Sequence, residues 1–133
     1  MTGATVAAMK FLCLAYYDVE AFAAMSPDQR TALVRQCPPH DAALRDSGHL
    51  LGLASLGEVR ASVSVRPRGG KPMVTDGPFM ETNEQIGSFF LIEANDMAEA
   101  VAIASRHPAA LLGAEVGWGI EVRPVDFYME PQT

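Results

Sequence analysis

The run IGSFFLIE (residues 86–93) decides the predicted fold. In an extended strand, successive side chains point to opposite faces of the sheet, so Phe90 and Ile92 share one face while Phe89 and Leu91 share the other. A strand that is apolar on both faces is typical of the interior of a sheet. We therefore predict that residues 86–93 form a central strand around which the other elements are arranged.

The residues before this strand predict a strand, a broken helix and two more strands. The apolar run MKFLCLAYY (9–17) predicts a buried strand, and residues 18–25 are predicted to connect it to a helix. Ser26 and Gln29 have the spacing of a capping box around Pro27, so the helix begins there. The prolines at 38–39 break it near Cys37, and a second helical piece ends at Arg45. HLLGLASL (49–56) and the alternating VRASVSVR (59–66), whose valines are predicted to face the core, are the next strands.

The residues after residue 66 complete the pattern. A loop leads to a small extended segment at 72–75, and the central strand follows. Asp96 and Glu99 have capping-box spacing for a helix that runs to His107, and residues 120–125 form the last strand, with Pro124 at an edge or end. Apart from one additional strand and the small segment at 72–75 between the two crossovers, this is the order βαββαβ, which predicts an α+β fold of the ferredoxin-like type, an antiparallel sheet with both helices on one face.

The other face of this sheet carries apolar side chains from the central strand and needs a cover. A second copy of the chain is the simplest one, so we predict a homodimer.

Size and charge limit the classes of function. The 133 residues fit one domain, predicted at 9–127 between a disordered leader (1–8) and a tail (128–133). A net charge of −6 argues against binding nucleic acid or an anionic membrane. No uncharged apolar run reaches the roughly 20 residues that span a bilayer. Two cysteines make no disulfide framework, so a reducing, cytoplasmic location is predicted.

The stretch MVTDGPF (73–79) ends a β-branched run in a tight turn. Gly77 permits unusual backbone angles and Pro78 has a fixed φ, so Asp76 is predicted to be held rigidly. A carboxylate partly desolvated beside Phe79 suits acid–base chemistry, with Phe79 as a substrate contact. The alternative is structural, because an aspartate before glycine commonly caps amides of its own turn.

The histidines are weaker candidates. His40 is predicted to share a proton with Asp76 if the fold brings them together; the alternative is a solvent-facing residue at the start of a helical piece. His49 and His107 lie at element ends and are predicted to be structural or exposed. Cys37 and His40 resemble half of a metal site without a second ligand pair, so neither a metal nor a cofactor is predicted.

Arg60 and Arg66 alternate with Ser62 and Ser64 on the polar face of the strand predicted at 59–66. In a dimer this face would line a cavity and hold an anionic or polar small molecule. The alternative is an ordinary solvated face.

The segment VTDGPFMETNEQIGSFFLIE (74–93) resembles the signature of YCII-related proteins of the DGPF subgroup. That signature has an acidic-Gly-Pro-Phe turn, a Glu-Thr and Glu-Gln spacer, and a Gly-x-Phe strand. The opening strand, the second helix and EVRPV (121–125) also resemble this family, so the similarity covers residues 9–126. Ser88, where the subgroup more often has a second glycine, is a further predicted substrate contact.

The resemblance implies a ferredoxin-like fold of the dimeric α+β barrel group, in which two sheets face each other across a dimer. It also implies a pocket with a His–Asp pair, and an association of some members with extracytoplasmic-function sigma factors. Asp76 matches the motif aspartate. His40 lies where a family histidine would fall, although the prolines before it depart from the usual helix.

Two functions from different classes follow. The first is a dimeric enzyme that acts on a small organic molecule by acid–base chemistry at Asp76, with His40 as its partner. The second is a non-catalytic ligand-binding or regulatory module that is linked to transcription through a sigma factor. No DNA-binding element is visible in the sequence, so that link would be indirect.

Overall fold

A computed structural model describes residues 8–132. Its main sheet has four antiparallel strands, numbered with the others in chain order: β1 (Met9–Asp18), β2 (Leu50–Ser55), β5 (Glu84–Ala94) and β6 (Gly119–Pro124). They lie in the order β2-β5-β1-β6. The predicted central strand is therefore central, and Pro124 lies on an edge strand, as predicted. This topology confirms the α+β class and is consistent with a ferredoxin-like fold.

The core lies between this sheet and the helices. Cys13 is opposite Phe90 and Phe11 is opposite Ile92 in the pairing of β1 with β5, and all four side chains are fully buried. The pairing shifts after Ala15, which is opposite Ser88, whereas the next residue of β1 is opposite Ile86. Gly87 is thus an unpaired bulge residue, and the bulge lies at the end of the sheet that borders the cavity described below.

Three helices connect β1 to β2: α1 (Val19–Ala24), α2 (Pro27–Arg35) and α3 (Cys37–Arg45). The predicted connector at 18–25 is wrong, because Asp18 Oδ1 accepts a hydrogen bond from the Ala21 amide (2.9 Å) and caps α1. The capping box of α2 is confirmed by reciprocal bonds between Ser26 and Gln29 of 3.1 and 2.8 Å. The predicted break near Cys37 is also confirmed.

Two helices connect β5 to β6: α4 (Met97–Ala104) and α5 (Pro108–Leu111). Asp96 caps α4 by accepting from the Glu99 amide (2.8 Å), while the Glu99 carboxylate accepts from the Asn95 amide instead of that of the cap residue. The helix ends at Ala104, three residues earlier than predicted, because His107 begins a new helix.

A hairpin of β3 (Val63–Arg68) and β4 (Lys71–Asp76) forms a separate two-stranded sheet. The predicted strand at 59–66 is wrong in its first half, because residues Val59–Ala61 form a 3-10 turn closed by the bond from Ala61 N to Glu58 O (3.0 Å). Val63 and Val65, predicted to face the core, are 56% and 58% exposed. Alternation of apolar and polar residues alone does not show whether the apolar face of a strand packs against the core.

The face of the main sheet opposite the helices carries half-buried Leu12, Leu14 and Leu91 together with Phe89, which is 37% exposed. No helix within residues 8–132 is both long and apolar enough to cross a membrane. The prediction of a disordered leader falls on residues 1–8, of which only Ala8 is among the described residues.

Candidate functional site

A cavity of about 420 Å³ lies between the bulged end of the main sheet and the helices. Four of its lining residues, Tyr16, Tyr17, Phe22 and Trp118, are aromatic. Besides the two tyrosines, the polar or ionisable lining residues are Cys37, Asp41, Ser55, Glu58, Ser88 and His107. Concave, mostly apolar sites with a few polar groups are the usual form of small-molecule sites.

His107 is the most constrained polar residue of this wall. Its side chain is only 7% exposed, and its ring stacks on Phe90 with centroids 4.8 Å apart and planes 9° apart. The residue is the N-cap of α5, and the Ala109 amide donates a 3.0 Å hydrogen bond to His107 Nδ1. Stacking and capping together fix the orientation of the ring.

This hydrogen bond also determines which ring nitrogen carries the proton. Nδ1 accepts, so in the neutral ring the hydrogen is on Nε2. Nε2 has no hydrogen-bond partner among the described residues, and no side-chain nitrogen or oxygen there is both buried and unpaired. Nε2 is therefore not fully buried, and His107 is one of the residues that line the cavity.

Burial lowers the pKa of His107, and the negative charge of Asp41 raises it in part. The imidazole is thus neutral at neutral pH. A neutral imidazole fixed in this tautomer has an unpaired N–H donor in a residue of the cavity wall, and such a donor is suited to polarise a carbonyl oxygen or stabilise a developing oxyanion.

Asp41 and Cys37 belong to α3 and line the same cavity. Asp41 is exposed, and no ion pair or hydrogen bond engages its carboxylate within residues 8–132. Burial, and then the charge of Asp41, raise the pKa of Cys37. Its thiol therefore stays protonated at neutral pH and donates to Leu33 O (3.7 Å). The cavity contains a free carboxylate and an unreactive thiol.

The structure places the predicted site residues in different regions. Ser88 lines the cavity with His107, whereas Asp76 and His40 line neither it nor a second depression beside the hairpin. That second, more open depression, about 610 Å³, includes Phe79. The roles predicted for these residues remain predictions.

The two arginines are engaged outside the cavity. Arg66 lies over the Phe79 ring, 3.7 Å from its centroid, and donates to Phe79 O (3.0 Å). Arg60 is on the 3-10 turn and not on a strand, and it pairs with Glu58 at 2.7 Å, both side chains being largely exposed. The sequence predicted that Arg60 and Arg66 share one strand face. They do not, because Arg60 lies outside the strand.

The turn around Asp76 is held by its neighbours and not by the Asp76 side chain. Gly77, at φ 104°, donates its amide to Ser62 O (2.7 Å), and Ser64 Oγ donates to Gly77 O (2.8 Å). Among the described residues, no hydrogen bond reaches the Asp76 carboxylate, so the predicted alternative of a self-capped turn is not what holds this loop.

Comparison with known proteins identifies the family. The chain matches the YCII-related domain over residues 9–124. It belongs to the YCII-related family. A relative from Rhizobium meliloti (strain 1021), named Uncharacterized protein R00369, is 31% identical over 121 residues, which cover 90% of this chain and 94% of that protein.

In this YCII-related protein, sequence reasoning missed His107 as a site residue. His107-Pro108 was interpreted as the end of a helix, although a histidine before proline also fits an N-cap followed by proline at the first helical position. His49, in contrast, is structural as predicted, because its Nδ1 donates to Glu93 O (2.9 Å). The His-Pro pair was thus a local signal for the start of α5. No local signal indicated that Asp41 lies near this helix.

Proposed function

We propose that this YCII-related protein binds a small organic molecule in the cavity beside His107 and performs acid–base chemistry on it. One observation carries the proposal. The buried His107 ring is fixed by the Ala109 amide, its Nε2 has no partner among the described residues, and it lines a cavity that Asp41 also lines. His107 and Asp41 would then act as a His–Asp pair of the kind that the family resemblance implies, with other members than His40 and Asp76.

The pair suits removal of a proton from the carbon next to a carbonyl group. Asp41 accepts the proton, and the negative charge that develops on the carbonyl oxygen is stabilised by the hydrogen bond from His107 Nε2. Returning the proton to another atom completes an isomerisation. The protonated Cys37 thiol takes no nucleophilic part in this scheme.

Hydrogen exchange in a simple ketone tests this chemistry. In D₂O, the protein is expected to accelerate loss of the proton NMR signal from the carbon beside the carbonyl of 1-indanone. Asp41→Asn and His107→Asn are each expected to slow this exchange by a factor of about 10² or more, as loss of a general acid or base does. Asparagine retains a capping oxygen at position 107, so α5 is preserved.

Asp28→Asn is the matched control, because it removes the same charge from an exposed site on α2, outside the cavity wall. It is expected to retain the parent rate. Equal exchange rates for the parent protein and the Asp41 and His107 variants would contradict the proposal.

The second candidate is the site predicted at Asp76, with His40 as its partner. Its support is that the Asp76 carboxylate is exposed and has no partner among residues 8–132, while the turn behind it is held by Ser62 and Ser64. Asp76→Asn is expected to change the midpoint of thermal unfolding by no more than about 2 °C relative to the parent protein, since the effects of surface substitutions are small. If the chemistry occurs at Asp76, the same variant is expected to abolish hydrogen exchange in the ketone. An exchange rate equal to that of the parent protein would show that Asp76 does not carry the chemistry.

The alternative function is a non-catalytic ligand-binding or regulatory module that is associated with sigma-factor-dependent transcription, as the resemblance implies. Membership of the DGPF subgroup and a cytoplasmic location are further proposals, the first from the resemblance and the second from the cysteine content. The buried wall of the cavity would then serve binding alone. Ligand binding without exchange of any ketone would favour it.

We further propose a homodimer of the dimeric α+β barrel type, in which the open sheet faces of two copies meet. The apolar side chains of Leu12, Leu14, Phe89 and Leu91 support it, because a monomer leaves them without a cover. Sedimentation equilibrium at micromolar concentration is expected to give twice the mass of the chain. A monomer, or a dimer unaffected by Phe89→Lys, contradicts this arrangement.

A further inference from the structure

We infer that the ligand of the His107 cavity is an uncharged aromatic molecule that carries a hydrogen-bond acceptor, and that anions are excluded. This inference rests on the proposed function and assigns its substrate class. It follows from the charges, the rings and the hydrogen-bonding groups of the cavity wall.

The charge of the wall is negative. Its ionisable carboxylates are those of Asp41 and Glu58, and the described lining residues include no lysine or arginine. Arg60 pairs with Glu58. Arg30 lies near the Phe22 ring, 5.6 Å from its centroid, but it is not a lining residue, and two of its three guanidinium nitrogens, Nε and Nη2, donate to Met25 O. A carboxylate or a phosphate in the cavity would meet no lysine or arginine among the described lining residues and would face the unpaired charge of Asp41.

The rings of the wall favour a flat molecule. Tyr17 and Phe22 meet edge to face, with centroids 5.8 Å apart and planes at 81°, and Trp118 lines the same space. Such rings bind another ring by stacking or edge contact. A volume of about 420 Å³ is sufficient for a one-ring or two-ring compound.

Two polar groups of the wall, those of His107 and Asp41, favour a ligand with one acceptor and one donor. His107 Nε2–H is a donor that no described residue satisfies, so a carbonyl or hydroxyl oxygen is its natural partner. The carboxylate of Asp41 accepts from an N–H or O–H group. An uncharged aromatic amide or phenol meets both needs, and an aromatic ketone meets the first, without bringing a charge into an apolar wall.

Three probes of nearly equal shape separate the charge classes: benzamide is uncharged, benzoate is an anion and benzamidine is a cation. Each is titrated into the parent protein and followed through the Ala109 amide and the Trp118 indole N–H by two-dimensional NMR. Fragments of this size bind with a Kd on the order of 1 mM. Benzamide is expected to bind at least about tenfold more tightly than benzoate because of the charge of Asp41. It is also expected to bind more tightly than benzamidine, because the amidinium group has no acceptor for His107 Nε2–H.

Asp41→Asn is expected to reduce the preference for benzamide over benzoate to about threefold or less, because the repelling charge is gone. The control Asp28→Asn is expected to retain the tenfold preference of the parent protein. A preference that survives in Asp41→Asn overturns the charge argument.

The other outcomes are distinguishable. If benzoate binds as tightly as benzamide, or if benzamidine binds most tightly, the inference on ligand class is overturned while the cavity remains a ligand site and the proposed function stands. If none of the three probes shifts the Ala109 or Trp118 signals, the cavity is not a ligand site, and both the inference and the proposed function fall.

Discussion

His107→Ala is expected to lower the free energy of unfolding by about 2–4 kcal/mol. Loss of an N-cap costs about 0.5–2 kcal/mol, and loss of a stacked aromatic partner costs about 0.5–1.5 kcal/mol. Removal of a buried ring also leaves a void beside Phe90, which is fully buried. Urea denaturation at neutral pH measures the change. His107→Asn, which restores a capping oxygen, is expected to lose less, and a loss below about 0.5 kcal/mol in the alanine variant would contradict the packing described.

The pH dependence of stability gives a second measure of the same residue. Burial lowers the pKa of His107 in the folded protein from the ordinary value of 6.5, with Asp41 offsetting part of the shift. Between these two values the unfolded chain binds more protons, so stability is complete above pH 6.5 and declines as the pH falls toward the lower, folded pKa. This decline in the free energy of unfolding is expected to be smaller in His107→Asn than in the parent protein. If the stability of both proteins fell by the same amount as the pH is lowered, the expectation would be contradicted.

Gly113→Ala is expected to destabilise the protein by about 2–5 kcal/mol. Gly113 has φ 72°, where a residue with a side chain costs about 1–2 kcal/mol. A Cβ atom there would overlap the Trp118 ring, and forcing extra atoms into a packed region costs typically about 1–3 kcal/mol. Trp118 is the only tryptophan of the chain, so its fluorescence reports the displacement directly.

Gly119→Ala is the matched control, because a Cβ at Gly119 meets no atom within 4 Å and its φ is not in the left-handed region. Its effect is expected to stay within about 1 kcal/mol. Since Trp118 lines the cavity, Gly113→Ala is also expected to weaken benzamide binding, whereas Gly119→Ala is not. Equal stability of the two variants would contradict the close approach of Gly113 to Trp118.

The strands and helices with strong local signals could be predicted from the sequence. Residues 86–93 were identified as central because apolar side chains on both faces require cover on both faces. The capping box at Ser26 and the break near Cys37 depend on neighbours in the chain and were predicted too. The predictions failed at α1, where Asp18 was not recognised as a cap, and at the 3-10 turn of Val59–Ala61, where alternation suggested a strand.

The candidate site was predicted much less well, since a site depends on distances across the chain. Ser88 was predicted as a substrate contact from the family resemblance, and it lines the cavity. It lies next to the bulge at Gly87, and that bulge is a property of the pairing of β5 with β1. His107 was interpreted as a helix end. Its role depends on Phe90 beneath its ring and on Asp41, which is more than sixty positions earlier in the sequence.

By itself, the sequence determined the fold class, the central strand and the family signature, because these follow from local periodicity, capping and turn residues. Only the tertiary structure decided which histidine and which aspartate line one cavity. Packing of α3 against α5, and of α5 against β6, accompanies the placement of Asp41 and His107 in that cavity, while Asp76 lies on the hairpin. Proton affinity and hydrogen-bonding direction depend on burial and on partners, which the chain acquires only on folding.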